Sequence, residues 1–583
     1  MYEILNTIHS PADVKKLNLP QLNDLAGEIR EALFNRLTKI GGHFGPNFGI
    51  VEAEIALHYV FNSPVDKFVF DVSHQSYPHK MLTGRSLGYT DEKHFREDSG
   101  YTNPEESAHD LFNVGHTSTS ISLASGLCKA REILGTHENV IALIGDGSLS
   151  GGEALEGLNV AGSEIHGNFI IVVNDNQQSI SETHGGLYKS LADLRTTNGA
   201  SKNNIFKAFG LDYVYEQHGN DIAALIKVFS KVKDIDHPIV VHINTQKGKG
   251  YERAETNKEA WHWTLPFDRE TGLTTIQMPA ESYTAVARNY IMRKAQTDDK
   301  FVVVTPNMPK SFDITPDLRA ALGNKFVDVG IAEEQSVAMA SGIAKGGAKP
   351  LVVTNTTFMQ RAYDQISQDL CINGNHVTIL LNYANFDGLT DVTHLGIFGI
   401  TAFSDIPNLT ILAPATAAEL TDMLDWALDN NDSPVIILMP SGAVTLGTHT
   451  NEAPNTYVSL QKGAHVAIIA EGDFVHRAAD VATLLTQRTG IVPTVVNARR
   501  VDSADKTALA ELAHNHSVVV TMEGGVLDGG MGQKIASYYG AKDVKVLNYG
   551  LNKVFYDRYN PEELLRSLGM TPDQIVADVE NLL

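Results

Sequence analysis

The sequence predicts an α/β protein built from three consecutive doubly wound domains. Short apolar runs bounded by glycine and polar residues alternate with helical patterns along the chain of 583 residues, as in parallel sheets covered by helices on both faces. Two polar stretches without apolar periodicity, residues 267–282 and 447–459, divide this alternation. We therefore expect domains at residues 1–270, 281–445 and 456–583.

The first domain begins with an amphipathic helix that ends at Gly41 and Gly42 and delivers His43 to a loop. Its apolar positions recur at helical spacing and are Leu22, Leu25, Ile29, Leu33, Leu37 and Ile40. The strands expected in this domain are residues 140–144, 169–173 and 238–243.

The second and third domains repeat the same style of alternation. Strands of the second domain are predicted at residues 301–305, 350–354, 377–381, 409–413 and 434–439, with a helix at 417–430. Strands of the third and smallest domain are predicted at residues 465–470, 492–498, 518–522 and 544–548.

Composition excludes several classes of protein. A net charge of −23 disfavours nucleic acid as a partner, because phosphate would be repelled. No run approaches the roughly 20 apolar residues that span a bilayer, and the first residues lack a signal-peptide pattern. The two cysteines, Cys128 and Cys371, lie in apolar contexts typical of reduced core thiols. We therefore expect a cytoplasmic protein that does not associate with membranes.

The most specific motif is a pair of strands that each end in a polar cluster. Gly145-Asp146-Gly147 follows the first strand and Asn174-Asp175-Asn176 follows the second, separated by a spacer long enough for one helix. A lone Gly-Asp-Gly usually marks only a turn. Here the parallel strands should bring Asp146 and Asn176 together, and with a backbone carbonyl near Gln178 they form an oxygen donor set suited to Mg²⁺. The pattern points to thiamine diphosphate.

Several histidines lie in glycine-rich or turn-rich segments. They are His43, His74, His79, His116, His262 and His394. Any single histidine among the 22 is more often an ordinary solvated or hydrogen-bonded side chain. Because loops that follow strands can converge on one pocket, the group instead suggests proton transfers to and from hydroxyl-bearing substrates.

Two residues of the second domain fit the same cofactor. Glu333 lies where a strand passes into a helix, so it could simply be a favourable charge at a helix start. A buried glutamate there could instead share a proton with the aminopyrimidine nitrogen of thiamine. Phe358 could be a core residue or could stack on the pyrimidine ring.

Six segments together resemble the 1-deoxy-D-xylulose-5-phosphate synthase branch of the transketolase family. The segments are GGHFGPNFGIVEAEIALHYVFNSPVDKFVFDVSHQSYPHKMLTGR, FNVGHTSTSIS, the segment from GDG to NDN, INTQKGKGY, FVDVGIAEEQSVAMASG and TTFMQRAYDQ. The resemblance covers nearly the whole chain. It implies a transketolase-type homodimer in which the first domain binds the diphosphate, the second binds the pyrimidine and the third is the C-terminal transketolase domain.

The resemblance also implies residue roles. Mg²⁺ would be held by Asp146, Asn176 and the Gln178 carbonyl. Residues that line the cofactor would be His74, Gly115, His116, Thr117, Gly147, Ser148, Asn176, Tyr251, Glu333 and Phe358. Glu333 would also activate the cofactor, and His43, His262 and His394 would surround the reacting carbonyls.

The implied reaction is a transferase reaction of isoprenoid and thiamine biosynthesis. Pyruvate loses carbon dioxide, and the remaining two-carbon unit joins the aldehyde of glyceraldehyde 3-phosphate to give 1-deoxy-D-xylulose 5-phosphate. The cofactor acts as the electron sink, while the protein orients the substrates and transfers protons.

The chain departs from the family where the acceptor phosphate is expected to bind. Asn355 replaces a tyrosine, Tyr383 replaces an arginine, and Leu438 and Ser441 replace two more arginines. Losing several charge-assisted contacts, each worth about 1.5–3 kcal/mol, should weaken binding of a phosphorylated acceptor.

Three functions therefore remain open from the sequence. The enzyme could keep glyceraldehyde 3-phosphate and recruit another cation such as Arg361. It could instead be a transketolase-like enzyme with a different aldehyde acceptor or a ketose donor. A protein that binds thiamine diphosphate without turnover is the third alternative.

Overall fold

The computed structural model describes residues 2–182, 185–277, 281–450 and 453–583. The chain forms two compact units, Met1–Met278 and Pro279–Leu583. Every sheet with more than two strands in the described residues is wholly or mainly parallel, which confirms the predicted α/β class. The division into three domains stays a prediction, and both polar stretches lie partly outside the described residues.

The first unit contains a five-stranded parallel sheet in the order β2-β3-β4-β6-β5 and a short antiparallel pair, β1 with β7. Its strands are β1 Gly42–His43, β2 Lys67–Phe70, β3 Val140–Gly145, β4 Phe169–Asp175, β5 Asp212–Glu216, β6 Ile239–Asn244 and β7 Trp263–Thr264. Its helices are α1 Pro11–Val14, α2 Leu19–Ile40, α3 Gly45–Val60, α4 Tyr77–Lys80, α5 Leu87–Thr90, α6 Ser120–Leu134, α7 Gly152–Ala161, α8 Gly186–Thr196, α9 Ile205–Ala208, α10 Ile222–Val232 and α11 Glu252–Thr256.

Both faces of the first sheet are buried. Along β3, Val140 and Ala142 pack into one apolar cluster, while Ile141 and Leu143 pack into another on the opposite face. Successive side chains of a strand point to opposite faces, so a continuous apolar run means that helices cover both sides. Polar side chains therefore lie at the ends of the strands.

The second unit contains two sheets. One is parallel, in the order β12-β13-β11-β10-β8-β9, and the other, in the order β14-β16-β15-β17-β18, is parallel except for β14. The strands are β8 Phe301–Thr305, β9 Phe326–Asp328, β10 Lys349–Asn355, β11 Thr378–Asn382, β12 Thr410–Leu412, β13 Val435–Leu438, β14 Val458–Gln461, β15 His465–Ala470, β16 Thr494–Asn497, β17 His516–Val526 and β18 Lys545–Leu551. The helices are α12 Tyr283–Thr297, α13 Pro316–Leu322, α14 Glu333–Lys345, α15 Thr356–Met359, α16 Gly399–Phe403, α17 Ala417–Asp429, α18 Phe474–Thr489, α19 Lys506–Leu512, α20 Met531–Tyr539, α21 Pro561–Ser567 and α22 Pro572–Glu580.

The two sheets of the second unit share one apolar core. Val352 and Ile436 of the first sheet belong to the same buried cluster as Ile469 and Val496 of the second. This shared core explains why the two sheets form one compact unit. Among the described residues, no helix combines the length and hydropathy needed to span a membrane.

Candidate active site

Local structure brings His43 and His262 to the same place. Asn18 caps α2 by accepting a hydrogen bond from the Gln21 backbone, and Gly41 ends the helix with φ +74°. The chain then enters β1, in which His43 pairs with Trp263 of β7, the residue after His262. The predicted helix and its loop thus deliver His43 to a partner more than 200 residues away in the sequence.

Three of the predicted histidines form one group in the first unit. The ring of His43 lies 5.1 Å from that of His74 and 5.7 Å from that of His262, measured between ring centroids. The rings of His74 and His262 are 5.5 Å apart. The prediction that these loops converge is met for these three side chains.

Hydrogen bonds tie the loop after β2 to the loop before α6. Asp71 accepts from the backbone N–H groups of Ser118 and Ser120, and the Ser73 hydroxyl donates to the Val114 carbonyl. Gly115, His116 and Thr117 lie between these anchored positions. The segment 115–117 is therefore held beside the loop that carries His74.

Two further contacts join these loops to the ends of β3 and β4. The Ser118 hydroxyl donates to the Ser148 carbonyl at 2.8 Å. The Asn174 amide donates to Gln75 at 3.1 Å. The loops of residues 71–76, 114–118, 146–150 and 174–176 therefore meet at one edge of the sheet, which is where open α/β sheets bind ligands.

The carboxyl ends of β3 and β4 present buried oxygens that lack hydrogen-bond partners. Gly145 pairs with Asn174, so Asp146 and Asn176 follow neighbouring strand ends. Asp146 Oδ2 and Asn176 Oδ1 are buried and unpartnered. Burial, reinforced by the negative charge of Asp175, raises the pKa of Asp146 to about 8. A divalent cation would satisfy both oxygens and favour the ionised carboxylate.

In the sequence, Gly147 directly follows Asp146, and Gln178 lies shortly after Asn176. Gln178 forms an isolated antiparallel bridge with Glu182, and the preceding Gln177 has φ +64°. A Cβ on Gly147 would lie 2.5 Å from the Ser179 hydroxyl, so only glycine fits this approach without a shift. The turn after β4 therefore packs directly on the Gly-Asp-Gly turn after β3.

Tyr251 has a different setting from the other predicted cofactor residues. Its ring packs at 5.5 Å from Phe44 and 4.8 Å from Trp261, and its hydroxyl donates to the Arg269 carbonyl. These contacts place it in an aromatic cluster that supports the loop after α2. A direct contact with a cofactor stays a prediction for this residue.

A second group of predicted residues lies in the second unit. Glu333 begins α14 and is 3% exposed, and its Oε2 lies 3.6 Å from Arg361 Nη1 without a hydrogen bond. Burial raises the pKa of Glu333 to about 7, although Arg361 opposes the rise. The ring of Phe358 meets that of His394 edge to face at 5.5 Å. A carboxyl with this pKa exchanges protons readily at neutral pH.

Comparison with known proteins finds family models and relatives that match nearly the whole chain. Three family models match the chain: 1-deoxy-D-xylulose-5-phosphate synthase at residues 5–203 and 197–245, the transketolase pyrimidine binding domain at 281–445, and the transketolase C-terminal domain at 456–575. A 1-deoxy-D-xylulose-5-phosphate synthase from Syntrophomonas wolfei is 37% identical, with 99% of this chain and 97% of the relative covered.

A second relative, 1-deoxy-D-xylulose-5-phosphate synthase 1 from Geobacter sulfurreducens, is 36% identical, with 100% of this chain and 98% of the relative covered. The chain belongs to the 1-deoxy-D-xylulose-5-phosphate synthase family. Family members are transketolase-type transferases that use thiamine diphosphate with a divalent metal ion. Among solved structures, a transketolase from Leishmania mexicana matches at 16% identity with a TM-score of 0.45, covering 96% of this chain and 97% of that one.

The four positions predicted to depart from the family's phosphate site lie on neighbouring strand ends in the second unit. Asn355 ends β10, Tyr383 follows β11, and Leu438 ends β13, which are adjacent strands of one sheet. Ser441 follows shortly after β13. The positions expected to bind the acceptor phosphate of a 1-deoxy-D-xylulose-5-phosphate synthase are thus together at the carboxyl edge of this sheet.

Carboxylates from the other sheet of this unit reach the same edge. A small cavity of about 20 Å³ is lined by Asn385, Leu438, Glu471 and Asp473 among others, and no lysine or arginine is among its described lining residues. Burial raises the pKa of Glu471 to about 7 and also raises the pKa of Asp473. This lining is acidic, in contrast to the cationic lining that a phosphate requires.

Several residues that support the site were not predicted from the sequence. Lys247 is buried and its ammonium lies 3.0 Å from His262 Nδ1 and also donates to the Ser179 carbonyl. It lies inside the segment INTQKGKGY, so a lysine four residues after a predicted strand was an available signal. Asp71 and Ser118 anchor the loops only through tertiary hydrogen bonds, for which the sequence carries no pattern.

Proposed function

We propose that this protein decarboxylates pyruvate with thiamine diphosphate and Mg²⁺ and transfers the two-carbon unit to glyceraldehyde 3-phosphate, giving 1-deoxy-D-xylulose 5-phosphate. The observation that carries the proposal is the pair of buried, unpartnered oxygens of Asp146 and Asn176, in a chain related over its full length to this family. A carboxylate and an amide oxygen at neighbouring strand ends suit a hard, octahedral cation.

The roles that we propose follow the groups described above. The metal ligands are Asp146, Asn176 and the backbone carbonyl of Gln178. The residues that line the cofactor are His74, Gly115, His116, Thr117, Gly147, Ser148, Asn176, Tyr251, Glu333 and Phe358. The residues near the reacting carbonyls are His43, His262 and His394.

Thiamine diphosphate supplies the nucleophilic carbon and the electron sink for decarboxylation when it is bound. Glu333 suits proton exchange with the aminopyrimidine nitrogen, because its buried carboxyl has a pKa of about 7. His43 and His262 can hold and deliver protons beside the substrate oxygens. Gly115 would let the backbone approach the diphosphate closely, while Gly147 makes room for Ser179 of the neighbouring turn.

Three finer features belong to the same proposal. We infer a diphosphate domain at 1–270, a pyrimidine domain at 281–445 and a C-terminal domain at 456–583, supported by the polar stretches between them. We also infer a homodimer and a cytoplasmic location, both of which stay predictions from the sequence. The substrates are small molecules.

A second candidate function is favoured by the acidic cavity. Asp473 accepts hydrogen bonds from the Ser441 and Gly442 backbone and from the Asn385 amide at 2.6 Å. These backbone and amide donors are therefore already engaged by a carboxylate of the protein, whereas the Ser441 hydroxyl is buried without a hydrogen-bond partner. This arrangement supports an aldehyde acceptor without a phosphate, or a ketose donor, in place of the family's substrates.

One experiment separates the two candidates. Carbon dioxide release from pyruvate is measured with thiamine diphosphate and Mg²⁺ in the presence of glyceraldehyde 3-phosphate, unphosphorylated glyceraldehyde or no aldehyde. Strong stimulation by the phosphorylated triose alone supports the first function. Equal or better stimulation by glyceraldehyde supports the second. No release under any condition would contradict pyruvate as the donor.

A further inference from the structure

A cluster of titratable side chains lies in the first unit outside the site described above. Glu54 and His58 are one helical turn apart on α3, so they share a face. His79 of α4 packs against them, and all three side chains are fully buried. One potential ligand atom from each residue lies within 4.8 Å of the others.

The surroundings of His79 fix the orientation of its ring. Its Nε2 lies 3.0 Å from Asp110 Oδ1, and Asp110 is held by two contacts of 2.8 Å from Arg85. Since Asp110 is an ionised acceptor, His79 Nε2 carries the proton, and Nδ1 presents its lone pair to the cluster. A histidine that donates its other N–H to a carboxylate is the usual second shell of a metal ligand.

Without an ion, this cluster leaves polar atoms unsatisfied. His58 Nε2 lies 2.9 Å from His79 Nδ1, so these two ring nitrogens face each other. Both oxygens of Glu54 are buried without a hydrogen-bond partner. Buried polar groups are nearly always satisfied by protein, water or a bound ion, so this concentration calls for an occupant.

We propose that Glu54, His58 and His79 bind a divalent transition-metal ion of the zinc class. Two imidazole nitrogens and a carboxylate form a donor set used by protein zinc sites, with a fourth position for water. The His58–His79 separation of 2.9 Å can be bridged by one ion at the usual distance of about 2.0–2.1 Å from each nitrogen. Mg²⁺ is a poor alternative because it demands oxygen ligands.

This ion would have a structural role. It would join α3 to α4, the short helix that follows the loop carrying His74 and Ser76. None of its three ligands belongs to the Mg²⁺ site proposed at Asp146 and Asn176, so this second metal site does not depend on the proposed function. It concerns a second metal in addition to the cofactor's own.

Metal analysis of the holoenzyme tests the proposal directly. Protein with thiamine diphosphate and excess Mg²⁺ is measured for bound transition metal, as purified and after dialysis against limiting Zn²⁺. We expect about one tightly held ion per chain in the wild-type protein. The amount of bound ion should fall at least tenfold in Glu54→Gln. It should be unchanged in Asp146→Asn, which lacks a proposed ligand of the cofactor's Mg²⁺. Substitution with Co²⁺ should give a visible absorption band that Glu54→Gln loses. The absence of any ion in the wild-type protein under both conditions would overturn the proposal.

A second variant covers the case in which Glu54→Gln does not fold. Glu54→Met removes the carboxyl at similar length. If the site holds metal, this variant melts at a lower temperature than the wild type, and a pyridine-nitrogen chelator that spares Mg²⁺ lowers only the wild-type transition. If no metal binds, removal of an unsatisfied buried carboxyl raises the melting temperature and the chelator has no effect, which would overturn the proposal.

Discussion

Replacing Glu333 with glutamine should stabilise the apoprotein at neutral and alkaline pH while it abolishes pyruvate decarboxylation. Glu333 is 3% exposed, and its Oε2 lies 3.6 Å from Arg361 Nη1 and has no hydrogen-bond partner. Its ionised form is therefore poorly compensated in the folded protein. Glutamine keeps the shape of the side chain but carries no charge to bury.

The magnitude follows from the pKa. A rise in pKa from 4.5 in the unfolded chain to about 7 in the folded protein corresponds to roughly 3–4 kcal/mol, at about 1.4 kcal/mol for each pKa unit. Between these two values the folded protein binds more protons than the unfolded chain, so stability falls as pH rises through this window. The stability gain of Glu333→Gln should grow across the same window and then level off at roughly 3–4 kcal/mol.

Urea unfolding of the apoprotein at pH 5 and pH 8, for wild type and variant, measures this difference. Glu334→Gln is the matched control, because it makes the same charge change one residue later on a half-buried side chain. The control should give a much smaller pH-dependent difference. An equal stability difference at both pH values for Glu333→Gln would refute the inference that the Glu333 carboxyl is buried and uncompensated. Retained decarboxylation would refute its catalytic role.

Three further predictions concern the cofactor and the acceptor. Asp146→Asn should weaken Mg²⁺-dependent binding of thiamine diphosphate at least ~10-fold by calorimetry, and unchanged affinity would place the metal elsewhere. Arg361→Gln should raise the KM for glyceraldehyde 3-phosphate roughly 10- to 100-fold if this arginine replaces the lost cations; an unchanged KM removes it from phosphate binding. Ser441→Arg, which introduces a guanidinium beside Asp473, should raise the kcat/KM for phosphorylated over unphosphorylated glyceraldehyde, and an unchanged ratio would show that the edge does not contact the acceptor.

Much of the fold could be predicted because its strands are continuous apolar runs. The predicted strands 301–305 and 465–470 agree with β8 and β15 residue for residue, since each run has polar or charged residues before it and a turn after it. β2 was missed because four residues give too short a pattern. β14, Val458–Gln461, begins at the end of a stretch interpreted as a linker, and its mainly exposed residues resemble a loop.

The spatial grouping of candidate site residues could be predicted where those residues lie at the edge of a single sheet. Asp146 and Asn176 could be paired from sequence because parallel strands end at the same edge. Glu471 and Asp473 follow a strand of a different sheet, about 90 residues after Tyr383 in the chain. No spacing rule connects those positions, so the acidic lining became visible only in the folded structure.

At the acceptor edge, Tyr383, Leu438 and Ser441 stand where the resemblance predicts arginines. A phosphate dianion needs cations and N–H donors that have no other partner. Here Asp473 takes the backbone donors of Ser441 and Gly442 and the Asn385 amide. The protein's own carboxylate thus fills the place of an oxyanion, and a second negative group would meet repulsion in a buried setting. The cofactor residues and the acceptor edge therefore bear on different parts of the function: the first on the thiamine diphosphate chemistry of the family, and the second on whether the acceptor carries a phosphate.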